Sequence, residues 1–222
     1  STCHHTPTLH SIMKKNILFR ITKIAFLLFL MIGTAWIIRN NKNKMQQSQT
    51  EWTTNEGKVF GTTYHITYHS SIDLHDSILI ALAQVDSSLS MFNQESQVAK
   101  INRNETNIMN PNLKHLLQQS LRISQMTNGA FDVTVAPLVN AWGFGFQNAE
   151  AMTQTQIDSI MQFVGYDKVN INGDKLEKKD PRTMLDFSAI AKGYGVDQAA
   201  EVLERNGITD YMVEIGGEMR LS

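Results

Sequence analysis

The apolar positions of this chain change period from one stretch to the next, and those changes mark out its elements. Phe60, Thr62, Tyr64, Ile66 and Tyr68 alternate with Gly61, Thr63, His65 and Thr67, the two-residue period of a half-buried strand. Ile78, Leu82, Val85 and Leu89 then recur at helical spacing, with Asp76 or Ser77 as the expected cap. Residues 90–96 read as a loop. Asn110-Pro111 sets a cap and an N1 proline ahead of a helix with Leu113, Leu116, Leu117, Leu121 and Ser124 inward, ending at Asn128-Gly129. Thr153 and Gln156 form a capping box before Ile157, Ile160, Met161 and Val164, closed by Gly165. Asn172-Gly173 marks a hairpin between residues 169–171 and Leu176. Met184, Leu185 and Phe187 read as a short buried strand, followed by a turn loosened by Gly193 and Gly195. A helix from about Tyr194 carries Val196, Ala199, Ala200 and Leu203 inward and stops at Gly207. Tyr211, Val213 and Ile215 alternate as a last strand, interrupted by Gly216-Gly217 and resumed by Met219 and Leu221.

The N-terminal pattern is different. The Met13-Lys14-Lys15 stretch and the apolar run from Ile24 to Ile38 have the layout of an export signal or signal anchor. Residues 1–12 are then an upstream extension, and their Cys3, His4, His5 and His10 are not expected to form a metal cluster. Ala35-Trp36-Ile37-Ile38 reads as a poor cleavage site, so residues 13–39 are expected to stay as an anchor in the bacterial inner membrane. The soluble part then lies on the periplasmic side. Residues 40–57, rich in Asn, Gln and Thr, read as a polar tether, and residues 58–222 as the folded domain. The chain ends in the middle of the last predicted strand, which reads as a truncation.

Composition narrows the function classes. Of the 222 residues 42% are hydrophobic, enough for a substantial core, and 20 basic against 21 acidic side chains leave a net charge of −1. No global field recruits nucleic acid, so recognition is local. The single Cys3 excludes an intrachain disulfide framework and a CxxC site.

Three stretches carry candidate chemistry. At the Leu185 to Asp197 stretch a strand end, a turn and a helix start aim backbone N–H groups outward, and Lys192 stands beside them. A phosphate or pyrophosphate suits that place, while Asp186 can accept from a ligand N–H or polarise a hydroxyl. The alternative is an ordinary strand-to-helix connection with a surface lysine and a capping acid. Around Ala130, Phe131 and Asp132, and again at Trp142-Gly143-Phe144-Gly145, small residues and aromatics let a planar ligand approach the backbone; a tightly packed turn with core aromatics gives the same pattern. His65 and His69 share one strand face and read as solvated side chains.

Taken together, five motifs resemble the FAD:protein FMN transferase family, the ApbE-like flavin transferases. They are Phe60-Gly61-Thr62-Thr63-Tyr64; Met91-Phe92-Asn93 with Ser96; Thr127 to Asp132 with Pro137-Leu138 and Trp142 to Gly145; Leu185 to Asp197; and Glu214-Ile215-Gly216-Gly217-Glu218. The resemblance covers Phe60 to Ser222. It implies an α+β fold, FAD as substrate, magnesium at the pyrophosphate, and transfer of FMN to a Thr or Ser of an acceptor protein with release of AMP. The expected acceptors are subunits of membrane redox complexes. By motif position Phe60 and Phe92 line the flavin site, Ala130, Phe131, Asp132, Asp186 and Lys192 contact FAD, and the Ala189 carbonyl coordinates magnesium. No catalytic residue is assigned. The sequence departs from the family at Ser188-Ala189, where two glycines are common, at Val133, where Pro is common, and at Phe60 and Phe92, where Met or Tyr is common. The family's later segment, with an Asp and a Thr or Ser for the metal, has no counterpart up to Ser222. The alternatives are an FAD pyrophosphatase and a flavin-binding protein without turnover.

Overall fold

The computed structural model describes residues 29–39, 52–143 and 152–222. The chain divides into two units, Ser1–Thr50 and Glu51–Ser222. In the first, residues 29–39 form helix α1 with exposed Phe29, Met31, Ile32 and Trp36. Its eleven residues extend about 16 Å, and no helix among the described residues is long and apolar enough to cross a membrane. The expected anchor otherwise falls on residues outside the described ones.

The second unit is built on a four-stranded antiparallel sheet in the order β1-β2-β5-β6: β1 Trp52–Val59, β2 Thr62–His69, β5 Tyr211–Ile215 and β6 Glu218–Leu221. Alternation fixes which face is covered. Tyr64, Ile66 and Tyr68 of β2 and Tyr211, Val213 and Ile215 of β5 are buried beneath two helices, α2 (His75–Leu89) and α7 (Ala191–Arg205), which supply Ile78, Leu82, Val196, Ala199 and Leu203. A second core gathers the remaining elements: α3 (Gln97–Asn102), α4 (Pro111–Met126), and the hairpin of β3 (Val169–Asn172) and β4 (Lys175–Lys178). Helix α2 serves both cores, through Ile78 and Leu82 on one side and Val85 and Leu89 on the other. Phe60 is packed against both as well. Two short helices, α5 (Ala136–Ala141) and α6 (Gln154–Met161), complete the unit.

Several expectations are corrected. The tether ends earlier than predicted, because Trp52–Val59 is a strand paired along its length with Thr62–His69. Its polarity has a use: Asn55, 6% exposed, accepts from Tyr68 Oη at 3.0 Å and donates to Asp73 Oδ1 at 3.1 Å. Gly57 leaves room for Tyr64, whose hydroxyl a Cβ would meet at 2.5 Å and whose ring at 2.7 Å. Neither Asp76 nor Ser77 caps α2; it starts at His75, whose N–H is received by Asp73 Oδ1 at 2.9 Å. Gly216-Gly217 does not interrupt one strand but forms the turn of a hairpin with Ile215 opposite Glu218. Helix α7 begins at Ala191, three residues ahead of Tyr194. The run before it is not a strand: Met184 makes one isolated bridge to Val135. The predicted inward face of α6 is only half-buried at Ile157 and Ile160, and Met161 is exposed. The Asn110 cap, the capping box and the hairpin of β3 and β4 form as expected.

Candidate functional site

Antiparallel pairing of β2 and β5 brings two hairpin turns to the same end of the sheet. Tyr64 lies opposite Ile215, and the Gly216 N–H donates to the Thr63 carbonyl at 3.0 Å. Both turns are two residues long with every φ positive: Phe60 at 52° and Gly61 at 75°, Gly216 at 57° and Gly217 at 99°. That is the turn geometry whose twist matches flanking strands, but for an aromatic residue it is strained. Packing explains Phe60 in this conformation. Its ring lies against the helix at Gly195, where an added Cβ would come within 2.5 Å of the Phe60 ring.

Around this end the chain encloses two adjoining cavities. One, of about 480 Å³, is walled by Phe60, Gly61, Asp86, Leu89, Ala191 and Lys192. The other, of about 540 Å³, is walled by Ala130, Phe131, Asp132, Asn140, Asp186 and Ala189. Met91, Phe92 and Ser188 border both, so the cavities are two arms of one groove. Phe92 stands between them, 74% exposed. Each arm has the size of a small-molecule pocket, and the pair suits an elongated ligand with two lobes.

The residues assigned to FAD or magnesium by motif position all line one arm or both: Phe60 and Lys192 the first, Ala130, Phe131, Asp132, Asp186 and Ala189 the second, Phe92 both. Phe144 and Gly145 lie outside the described residues, while Trp142 is 43% exposed at the end of α5. Met91, Asn140 and Ser188 were not singled out as ligand contacts, although Met91 and Ser188 sit inside quoted motifs. Asn102 was also missed. Its side chain acts as a strand partner to the segment carrying Asp186, accepting from the Leu185 N–H and donating to the Leu185 carbonyl, both at 2.8 Å. A buried Asn beside Val98, Ala99 and Ile101 is the signal that could have found it.

The two aspartates differ. Asp132 is not an unpaired carboxylate: Oδ1 accepts from the Thr134 N–H at 2.8 Å and hydroxyl at 2.7 Å, and Oδ2 from the Tyr166 N–H at 2.6 Å. With both oxygens occupied, Asp132 ties the wall of the second arm to the turn before β3. Asp186 Oδ1 accepts from the Ser188 N–H at 2.7 Å, and Oδ2 has no partner among the described residues.

Lys192 is engaged by the second hairpin. Its Nζ donates to the Gly216 carbonyl at 3.2 Å and lies 2.8 Å from Glu218 Oε2, an ion pair not aligned as a hydrogen bond. The ammonium holds the Glu218 carboxyl below its ordinary range. Glu214 is also held low, first by the Gly217 N–H at 2.5 Å and then by His65 at 3.0 Å. His65, still half exposed on the strand face, is thus also a contact of the Glu214 carboxyl. Helix α7 starts without a side-chain cap, so its first turn and Lys192 together favour an anion. Magnesium is a different matter. The Ala189 carbonyl and one Asp186 oxygen are short of the coordination that ion takes, and no group of three His, Cys, Asp or Glu converges among the described residues. These residues alone do not make a magnesium site.

An α+β domain with a two-armed groove, aromatic rings at Phe60, Phe92 and Phe131, and a lysine at a helix start is built to bind an elongated, partly planar ligand with an anionic part. The chain belongs to the ApbE family, whose model matches residues 60–222. It is similar to the FAD:protein FMN transferases of Haemophilus influenzae, 36% identical over 192 residues covering 78% of this chain and 55% of the relative, and of Vibrio cholerae, 34% identical over 176 residues covering 74% and 53%. The chain spans about half the length of the curated relatives it matches. Among solved structures it resembles the Vibrio cholerae flavin transferase ApbE, with a TM-score of 0.73 at 34% identity over 78% of this chain and 59% of the other. The apo form of Pseudomonas stutzeri flavinyl transferase ApbE also gives 0.73, at 31% identity over 78% and 62%.

Proposed function

We propose that this chain holds FAD for transfer of FMN to a Thr or Ser hydroxyl of an acceptor protein, with AMP released. The observation that carries the reading is the two-armed groove with Phe92 between the arms, lined by Phe60, Ala130, Phe131, Asp132, Asp186, Ala189 and Lys192. In this reading the acceptor oxygen attacks the FMN phosphorus, the P–O–P bond breaks, AMP leaves with the bridging oxygen, and the hydroxyl proton passes to a base. Lys192 and the first turn of α7 stabilise negative charge growing on the phosphates. Phe60 and Phe92 offer ring faces for the flavin. Reaching a phosphate takes Lys192 away from Glu218.

Magnesium dependence belongs to the reading through the family resemblance and through Ala189, and no step here is routed through the ion. Anchoring at the inner membrane, a periplasmic domain and acceptors among membrane redox subunits are proposals of the same standing, motivated by the basic start and apolar run of residues 13–39.

The test is covalent flavin on an acceptor protein, read by in-gel fluorescence after incubation with FAD and magnesium. Labelling that depends on Phe92 and Lys192 supports transfer. AMP release without labelling would replace it with the pyrophosphatase reading, and FAD binding with neither product would leave a flavin-binding protein.

A further inference from the structure

Away from the flavin groove lies a third cavity of about 450 Å³, between the end of α3, residues 104–107 and β4. None of its lining residues borders the groove. Lys178 reaches into it from β4. Its Nζ donates to the Ile101 carbonyl at 2.8 Å and to Asn104 Oδ1 at 3.0 Å. No carboxylate pairs with it among the described residues. The one acid in the lining, Glu105, is held by Arg103 at 2.7 and 3.0 Å. The nearby Asp180 is paired with Arg182 at 2.6 Å, and Glu177, on the same strand, is held by Asn170 and Asn172.

This arrangement orients an amine. An ammonium has three hydrogens, and two are held by fixed acceptors. The proton without a partner is the one most readily lost, leaving both remaining N–H groups satisfied and the lone pair turned away from Ile101 and Asn104. We propose that Lys178 is a reactive amine, a covalent modification site that takes small activated acyl groups such as acyl phosphates from the cavity side. The lone pair attacks the carbonyl carbon, a C–N bond forms, the C–O bond to phosphate breaks, phosphate departs, and one amine proton goes to solvent. The amide keeps one N–H and so gives up either Ile101 or Asn104. Burial supports the same chemistry by lowering the pKa of this lysine from 10.5 to about 8, because desolvation disfavours the charged form. Asn104 sits at a φ of 57°, with its side-chain amide donating to the Pro181 carbonyl at 3.0 Å. The acceptor is thereby fixed in place.

The probe is acetyl phosphate on the whole folded protein, with acetylation at each lysine followed over time by peptide mass spectrometry. The comparators are Lys175, exposed on the same strand, and the exposed Lys179. At pH 7.5 Lys178 should react about tenfold faster than either, since its larger neutral fraction outweighs its lower intrinsic nucleophilicity. Its rate should level off above pH ~9 while theirs keep rising. The preference should vanish in urea. Equal or slower labelling at Lys178, a rate that climbs without levelling, or a preference that survives unfolding would each overturn the assignment and leave Lys178 as a cap on the Ile101 carbonyl of α3.

Discussion

The two aspartates of the second arm stand on opposite terms with the chain around them. Asp132 has both oxygens bound by protein donors, so it holds a loop in place. Asp186 has one oxygen bound by the next turn, and its other oxygen has no partner among the described residues. The same residue type in the same cavity thus does two jobs, and the count of chain donors tells them apart. A carboxylate saturated by its own backbone acts on a ligand through shape; one with an idle oxygen can act by direct contact.

The comparison breaks most visibly at Asp132. Asp132→Ala removes three hydrogen bonds to a charged acceptor and leaves the Thr134 and Tyr166 N–H groups without their partner, a loss of about 4 kcal/mol. Chemical denaturation should show it with or without ligand. A loss under about 1 kcal/mol would mean that the loop holds itself without Asp132.

Next in size is Asn102→Ala, which leaves both polar groups of Leu185 unsatisfied in a buried place and should cost about 3 kcal/mol. Because Asn102 clamps the segment that carries Asp186, and its amide also reaches the sulfur of Met91 at 4.0 Å, ligand binding should weaken as well. Asn102→Asp restores the acceptor for the Leu185 N–H and should recover part of the stability. If it recovers none, the two-bond clamp is the wrong account.

How far the sequence reveals this site depends on what each part uses to hold itself. Helix α4 announces itself through Asn110-Pro111, and α6 through its capping box, because caps are local chemistry. The end of the sheet is less legible. Phe60 in a positive-φ turn contradicts the residue preference for such turns and is held there by tertiary contact with Gly195. Strand β1 hides behind polar composition, since Asn55 is buried by a Tyr68 and Asp73 network rather than by apolar packing. The segment before α7 reads as a strand because Leu185 and Phe187 are fully buried, but both backbone hydrogen bonds of Leu185 come from a side chain 83 positions away. Periodicity sees burial and misses the partner. The residues assigned by motif position lie in the groove as a set, but only the structure separates Asp132, held by chain donors, from Asp186.

Asp186→Asn sharpens the comparison from the other side. The amide keeps an oxygen for the Ser188 N–H, so stability should change by less than about 0.5 kcal/mol. FAD binding, measured by quenching of flavin fluorescence, should fall about tenfold, or ~1.4 kcal/mol. Stability and binding falling together would place Asp186 beside Asp132 as a structural residue. Unchanged binding would remove it from the contact set.

The smallest effect concerns Glu218, a third carboxylate whose partner is itself a groove residue. Lys192 holds its pKa below the ordinary glutamate value of 4.5, so the folded state binds fewer protons than the unfolded state as pH drops below that value. Folding stability from this pair is therefore present above pH ~4.5 and is lost as pH falls through the depressed value. The contribution is small, under about 1 kcal/mol, because the side chain is 41% exposed and solvent screens the ion pair. Glu218→Gln should make the acid limb of the stability curve shallower and leave the plateau near pH 7 slightly lower. It also releases Lys192 from its charge partner, so affinity for FAD should rise severalfold while affinity for riboflavin, which has no phosphate, stays constant. That difference separates a lysine directed at phosphate from one that only fastens the second hairpin. If the two ligands respond alike, Lys192 belongs with Asp132, as a residue that shapes the groove without touching the charge of its ligand.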